Sequence, residues 1–180
     1  MKRNITLFMI LFWSCFSLFA QEYPHADDGP RKKHKLSLFM ANAFVPAAEG
    51  VSGQDKLFLV PAWGLNYDYW FHPKVAVGVH NDFILQQFKI ESHDNNQEVV
   101  RAFPVVISGV VSWHPIPHWI ILVGAGQEID KHEHYNVVQA GVEYEIELRK
   151  GWTLGINLAY DNKINAYDTW IFGVTFGKKF

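Results

Sequence analysis

Ionisable side chains recur at alternate positions along the extended stretches of this 180-residue chain. Glu143, Glu145 and Glu147 stand two residues apart between apolar neighbours, so in an extended strand they project from one face. Similar residues occur on other stretches, and we predict that they line one polar interior: Asp68, His80, Asp82, Glu128, Glu143, Glu145, Glu147 and Lys179. Buried charges need partners or they neutralise. Because acids outnumber bases in this set, we expect waters, proton uptake by a carboxyl group or bound cations to balance it.

Two other groups contain residue types used in metal binding or catalysis. His132 and His134 could ligate a divalent metal if another loop supplied a third ligand, but this spacing is common by chance. Ser92-His93-Asp94 contains the types of a hydrolytic relay, although adjacent side chains on one chain point apart. We therefore predict no metal site, no catalytic set and no cofactor.

The amino terminus has the pattern of a secretory signal peptide. The basic start Met1–Asn4 is followed by the apolar run Ile5–Ala20, which is shorter than the ~20 residues that a transmembrane helix needs. We predict cleavage after Ala20; the alternative is an uncleaved anchor. The only cysteine, Cys15, lies in this run behind a poor lipidation motif, so the mature chain is predicted to have no disulfide. Residues 21–35 are polar and are expected to be flexible. The basic run within them could contact lipid phosphates, although a solvated tail is the simpler interpretation.

Composition narrows the class of protein. The net charge of −2 gives no nucleic-acid-binding footprint, so we expect no nucleic-acid partner. Aromatic residues make up 16% of the chain, including 7 Trp, which suits two membrane–water interfaces. Gly, Pro, Asn or charge interrupts every apolar stretch after residue 20, so a mature chain that spans a membrane must form a closed barrel.

Eight predicted strands would position the polar residues. Alternation of apolar and small or polar residues is nearly regular in the second, sixth and seventh strands, whereas both faces of the fourth are apolar in its middle. Long polar connections follow the odd-numbered strands and short turns follow the even-numbered ones, as in an up-and-down barrel. The predicted strands are 36–46, 57–70, 75–88, 100–113, 119–129, 135–149, 152–162 and 168–180.

The two faces of these strands differ in bulk. The less apolar face is rich in Gly, Ala, Ser and Asn, which fit the crowded interior of a narrow barrel. The apolar face carries aromatics near the short turns, and we predict that five of them form an aromatic girdle: Tyr69, Trp70, Trp113, Trp119 and Trp152. The alternative is a soluble barrel or sandwich with its apolar face inward.

The last strand carries a family resemblance. Trp170, Phe172, Val174 and Phe176 alternate with smaller residues, and the sequence ends at Phe180. This stretch resembles the terminal strand of bacterial outer-membrane barrels, in which a final Phe belongs to the assembly signal. Over 36–180 the pattern resembles small eight-stranded outer-membrane proteins of the OmpA/OmpX type. The resemblance implies an all-β, closed, antiparallel up-and-down transmembrane barrel.

The resemblance also implies a location and partners. Residues 1–20 would be the cleaved signal peptide, 21–35 a flexible periplasmic segment and 36–180 a monomeric barrel in the outer membrane of a Gram-negative bacterium. Expected partners are outer-membrane lipid, lipopolysaccharide and, through the last strand, the barrel-assembly machinery. The expected role is structural or surface-interactive and not enzymatic, with a lumen filled by side chains. The alternatives are a lipid A-modifying enzyme of the deacylase or acyltransferase type, or a narrow porin-like channel.

Overall fold

Eight long antiparallel strands close into a barrel in the computed structural model, which describes residues 32–45, 48–49, 58–91, 98–130 and 134–180. The predicted fold class is confirmed. The barrel strands are β1 (His34–Val45), β3 (Phe58–His72), β4 (Val75–Ile84), β7 (Val105–Ile116), β8 (Trp119–Ile129), β9 (His134–Glu147), β10 (Trp152–Lys163) and β11 (Tyr167–Lys179). Three short strands, β2 (Ala48–Glu49), β5 (Gln87–Glu91) and β6 (Glu98–Ala102), form a separate sheet.

The first and last barrel strands pair with each other and complete the circle. Their register runs from Lys35 opposite Lys179 to Phe44 opposite Trp170. At the end of the seam, the N–H of Phe180 donates to the carbonyl of His34 at 2.9 Å, and the reverse bond measures 3.1 Å. Closure therefore satisfies the backbone groups that an open sheet would leave at its edges.

Side chains alternate between the outside and the interior of the barrel. Along β10, Leu154 and Ile156 are exposed, whereas Thr153 before them and Asn157 after them are buried. A period of two places large apolar groups outside and small or polar groups inside. The barrel therefore has an apolar surface and a polar interior.

The two ends of the barrel differ. At the short-turn end lie the tight connections β3–β4, β7–β8 and β9–β10, together with His34 and Phe180. The β9–β10 connection is a single 3-10 turn, Arg149–Gly151, in which Lys150 and Gly151 have φ values of 61° and 78°. The opposite, long-loop end carries the β5–β6 hairpin and the turn at 164–166 between β10 and β11.

The β5–β6 hairpin corrects two predicted strands. The predicted strands 75–88 and 100–113 were continuous, but β4 ends at Ile84 and β7 begins at Val105. Phe103 has a φ of 53°, and Pro104 cannot donate to a ladder, so the chain bends there and the hairpin leaves the barrel wall. The N–H of Ile84 donates to the carbonyl of Pro104 at 3.1 Å and fixes the base of the hairpin.

The hairpin packs on a small apolar core at the long-loop end. Phe88 of β5 is fully buried, and its ring meets the ring of Tyr167 edge-on at 5.8 Å. The same cluster contains barrel residues such as Phe39, Val60 and Ile171. The hairpin is thus attached to the inside of the barrel rim.

Several sequence predictions fall on other parts of the chain. The signal peptide 1–20, most of the segment 21–35 and the sequence Ser92-His93-Asp94 lie outside the described residues. The described part of 21–35 differs from the prediction, because β1 begins at His34 and takes Lys35 into the barrel wall. Among the described residues, no helix has the length and apolar character to cross a membrane.

Candidate functional site

A network of ion pairs fills the interior near the short-turn end. The Nζ atom of Lys35 lies 3.2 Å from Oε1 of Glu143 and also pairs with Oε2 of Glu145. Lys179 Nζ lies 3.0 Å from Oε1 of Glu145 and pairs with Glu147 at the rim. The side chain of Glu147 is 56% exposed, so its predicted place inside the barrel is wrong: it ends β9, where the wall no longer covers it.

Further hydrogen bonds continue the network into the middle of the barrel. His80 Nε2 lies 3.1 Å from Oδ1 of Asp68, and Asn157 Nδ2 donates to Oε2 of Glu143 at 3.4 Å. Asn81, the polar residue that interrupts the apolar face of β4, donates through Nδ2 to the carbonyl of Leu65 at 2.9 Å. Its amide thus satisfies a backbone acceptor between β3 and β4.

A second buried cation lies towards the long-loop end. Lys163 is 1% exposed, and its Nζ lies 3.2 Å from Oδ2 of Asp161 and 2.9 Å from Oγ1 of Thr169. Asp82 is also buried at this level of the wall, where its carboxylate lies close to Gly64. The sequence prediction ended the strand at 162, but β10 continues through Lys163 and turns this side chain inward.

The hairpin is fastened to the barrel by four side chains that we call the hairpin latch: Arg101, Glu128, Asp130 and Tyr167. Arg101 Nη2 pairs with Oε1 of Glu128, and its Nε lies 3.5 Å from Oδ2 of Asp130. The hydroxyl of Tyr167 donates to Oε2 of Glu128 at 2.5 Å. The N–H of Ala102 donates to Oδ2 of Asp130 at 3.0 Å, so the backbone of the hairpin is held as well.

The latch is closed off from solvent. Arg101 and Glu128 are both 0% exposed, and the guanidinium lies 4.7 Å from the centre of the Tyr135 ring. Burial lowers the pKa of Arg101, but Glu128, Tyr167 and Asp130 together raise it by more, so the pKa of Arg101 lies above its usual value. Arg101 therefore remains a cation in the mouth of the barrel.

Three buried bases were absent from the predicted polar set. Lys35, Arg101 and Lys163 each face carboxylates, so protein cations supply much of the balance that was expected from waters or bound ions. Lys35 could have been found, because it shares the inward face with Ser37 and Phe39. Arg101 could not be assigned to the interior from alternation, because the direction of its side chain depends on the bend at Phe103 and Pro104.

Aromatic residues surround the barrel near the short-turn end. Trp113, Trp119 and Trp152 face outward, and each is at least 40% exposed. Trp152 stacks on Phe176 with ring centres 4.8 Å apart.

Trp70 does not face outward with these three residues. It is paired with the buried Ala76, and its ring packs against the ring of His114 with centres 5.8 Å apart. It lies two residues after the inward Asp68, so its predicted place in the girdle is wrong. The fifth predicted member, Tyr69, is half-buried against His34.

Solved structures that align with this barrel include an outer-membrane protein. Neisserial surface protein A aligns with a TM-score of 0.51 at 10% identity, over 82% of this chain and 97% of that one. OprG from Pseudomonas aeruginosa aligns with a TM-score of 0.55 at 11% identity, over 84% and 98%. The chain has the fold of the small outer-membrane barrels. Ail of Yersinia pestis, in complex with the heparin analogue sucrose octasulfate, aligns with a TM-score of 0.50 at 11% identity, over 82% of this chain and 99% of that one. No protein-family model and no curated protein matches the sequence.

The last strand of this outer-membrane barrel fold carries its apolar residues on the outside. Trp170, Phe172, Val174 and Phe176 are between 41% and 60% exposed. The ring of Phe180 stacks on His34 at 5.7 Å, beside the backbone bonds that close the seam. The role of these residues as an assembly signal stays a prediction.

Only one of the two histidines considered as metal ligands lies within the described residues. His134 is exposed at the start of β9, and His132 lies outside the described residues. Across 32–45, 58–91, 98–130 and 134–180, no three His, Cys, Asp or Glu side chains come together in a group that could hold a metal ion.

Proposed function

We propose that the protein is an integral outer-membrane barrel that has a structural or surface-interaction role and a filled lumen. The observation that carries this proposal is the inverted polarity of the wall. Ile156 is 51% exposed on the outside, while the neighbouring Asn157 is 7% exposed on the inside, and this relation repeats around the barrel. Water-soluble monomers rarely expose apolar patches larger than a few hundred Å², whereas a lipid-facing barrel requires such a belt.

The connections support an orientation. Outer-membrane barrels have short turns on the periplasmic side and longer loops outside. The short-turn end, with His34 and Phe180, would therefore face the periplasm, and the β5–β6 hairpin would face the exterior. The exposed aromatics Trp113, Trp119 and Trp152 would then lie at the periplasmic interface, where their amphipathic rings are favoured.

The interior supports a role other than transport. An eight-stranded barrel is just wide enough for its own side chains. Here ion pairs of Lys35 and Lys163 lie in the interior towards its two ends, and the fully buried pair of Arg101 and Glu128 lies at the long-loop end. We infer that the lumen conducts no solutes.

The latched hairpin supports surface interaction. Val100 and Phe103 are 44% and 56% exposed on a hairpin whose inner side is held by Arg101. A binding surface that is already ordered loses less conformational entropy when a partner binds. The hairpin is therefore the region in which we expect an outer partner to bind.

The location is tested by fractionation. The protein should be found in the outer-membrane fraction and should migrate faster on a gel when it is not boiled, because the folded barrel resists detergent. Recovery as a soluble periplasmic protein would contradict the proposal.

The two alternative functions are tested by separate assays. Single-channel current steps in a planar bilayer would indicate a channel. Lost or gained acyl chains in lipopolysaccharide incubated with the refolded protein would indicate a lipid A-modifying enzyme.

A further inference from the structure

The short-turn end carries an uneven distribution of charge. Within its described segments, 32–34, 71–74, 114–118, 147–151 and 178–180, Glu147 is the one acidic side chain, and it is already paired with Lys179. Basic residues are numerous there, and five of them are exposed: Lys32, Lys33, Lys74, Arg149 and Lys150. The exposed rim at this end is therefore positively charged.

The cations are most concentrated around the β9–β10 turn. Lys178 Nζ donates to the carbonyl of Lys150, and the Nζ of Lys32 lies so close to Gly151 that a Cβ atom added there would stand 2.5 Å from it. Arg149 belongs to the same turn. We call Lys32, Arg149, Lys150 and Lys178 the basic turn. Like charges on one turn repel each other, so a neighbouring anion would stabilise the arrangement.

The surroundings of the basic turn indicate which anion this is. Lys178 Nζ lies 4.9 Å from the centre of the Trp152 ring, which is 40% exposed on the apolar outside of the barrel and stacks on Phe176. Trp side chains are favoured at headgroup depth, and lysines next to apolar surface extend their amines towards the headgroups. The basic turn therefore stands where lipid phosphates lie in the membrane.

We propose that the basic turn binds the headgroup phosphate of an anionic glycerophospholipid in the periplasmic leaflet, with Trp152 against its glycerol and acyl region. This inference rests on the membrane location proposed above. Each basic residue near an anionic membrane surface strengthens attraction by roughly fivefold in affinity. Two charges removed from the turn are therefore expected to weaken binding by roughly 25-fold.

The test is native mass spectrometry of the intact barrel in detergent, titrated with phosphatidylglycerol or phosphatidylcholine. We expect phosphatidylglycerol to be retained in preference and the double variant Arg149→Gln/Lys150→Gln to lose that preference. The matched control, Lys33→Gln/Lys74→Gln, removes the same charge from elsewhere on the rim and should retain it. Heat-modifiable migration of each variant verifies that the barrel has folded.

Three outcomes would overturn the inference. Equal affinity for the two lipids would contradict a site at this turn. An equal loss of phosphatidylglycerol preference in the two double variants would contradict it as well. Displacement of phosphatidylglycerol by millimolar inorganic phosphate would assign the turn to a free ion and not to a lipid. In each case a barrel that still inserts into vesicles leaves the proposed membrane function intact, whereas failure to insert contradicts that function itself.

Discussion

At the scale of single residues, Arg101 shows how the hairpin is held. Replacement by Leu removes a cation from two carboxylates, and Glu128 is 0% exposed in its pair. Removal of one partner from a buried ion pair costs about 3–5 kcal/mol because the other charge stays buried without compensation. We expect Arg101→Leu to lower the free energy of unfolding by that amount, measured by urea titration of vesicle-bound protein. A loss below ~1 kcal/mol would contradict a closed, desolvated latch.

Lys33 and Lys35 offer a matched pair within one short segment. Lys33 is exposed before β1, whereas Lys35 is 4% exposed and faces Glu143 and Glu145. Lys35→Met should cost about 3–5 kcal/mol of unfolding free energy, and Lys33→Met close to none. Both values can be obtained from tryptophan fluorescence during urea unfolding. Equal effects would mean that Lys35 is not a member of the buried network.

The sequence predicted the carboxylates of the interior better than their partners. Glu143 and Glu145 lie in a regular strand, and alternation alone assigns them to the inner face. Lys35 stands at the end of the basic run 31–35, so its type suggested a solvated tail although its position was correct for β1. The basic composition around Lys35 predicted a solvated side chain, whereas alternation along β1 predicted an inward one. The structure places the side chain inward, where it pairs with two carboxylates.

At the scale of elements, close approach of strands explains the small residues of the inner face. A Cβ atom at Gly173 would collide with the carbonyl of Met40 and would stand 2.8 Å from the Cα of Ala41, both in β1. Backbone atoms of a paired strand cannot move aside, so Gly173→Ala should strain the seam by roughly 1–3 kcal/mol.

Gly109 provides the control for this substitution. A Cβ atom there would meet the carbonyl of Ala125 at 3.9 Å, an ordinary contact. Gly109→Ala should therefore leave the urea midpoint unchanged or slightly higher, while Gly173→Ala lowers it. Identical midpoints for the two variants would show that the seam tolerates the added methyl group.

Strand positions were predictable where the two faces differed. The sixth and seventh predicted strands match β9 and β10 to within about two residues at each end because their alternation is regular. The hairpin was missed because both faces of the fourth predicted strand are apolar between Val105 and Val111, so alternation could not fix where that strand begins. Phe103-Pro104 was the available signal, since a proline inside a strand argues against a continuous ladder.

At the scale of the whole molecule, the apolar belt should be sensitive to charge according to depth. Ile156 lies in the middle of β10 and is 51% exposed, whereas Leu148 stands beside the β9–β10 turn and is 41% exposed. In a bilayer, Ile156→Arg should cost about 2–4 kcal/mol and Leu148→Arg about 0–1 kcal/mol. Folding free energies in phospholipid vesicles measure this difference. Equal costs for the two variants would argue against a barrel that spans the bilayer along β10.

The seam between β1 and β11 makes the chain suitable for circular permutation. Because His34 and Phe180 are joined by two backbone hydrogen bonds, a short linker could connect them, and new termini could open at the turn Arg149–Gly151. The permuted chain would keep every strand pair, yet Phe180 would lie within a connection. Barrel closure and the predicted assembly signal, which coincide in β11, would then be separated. A permutant that carries the predicted signal peptide at its new amino terminus and refolds in detergent, but fails to reach the membrane in cells, would assign the predicted assembly signal to a Phe180 at the end of the chain and not to the strand that carries it.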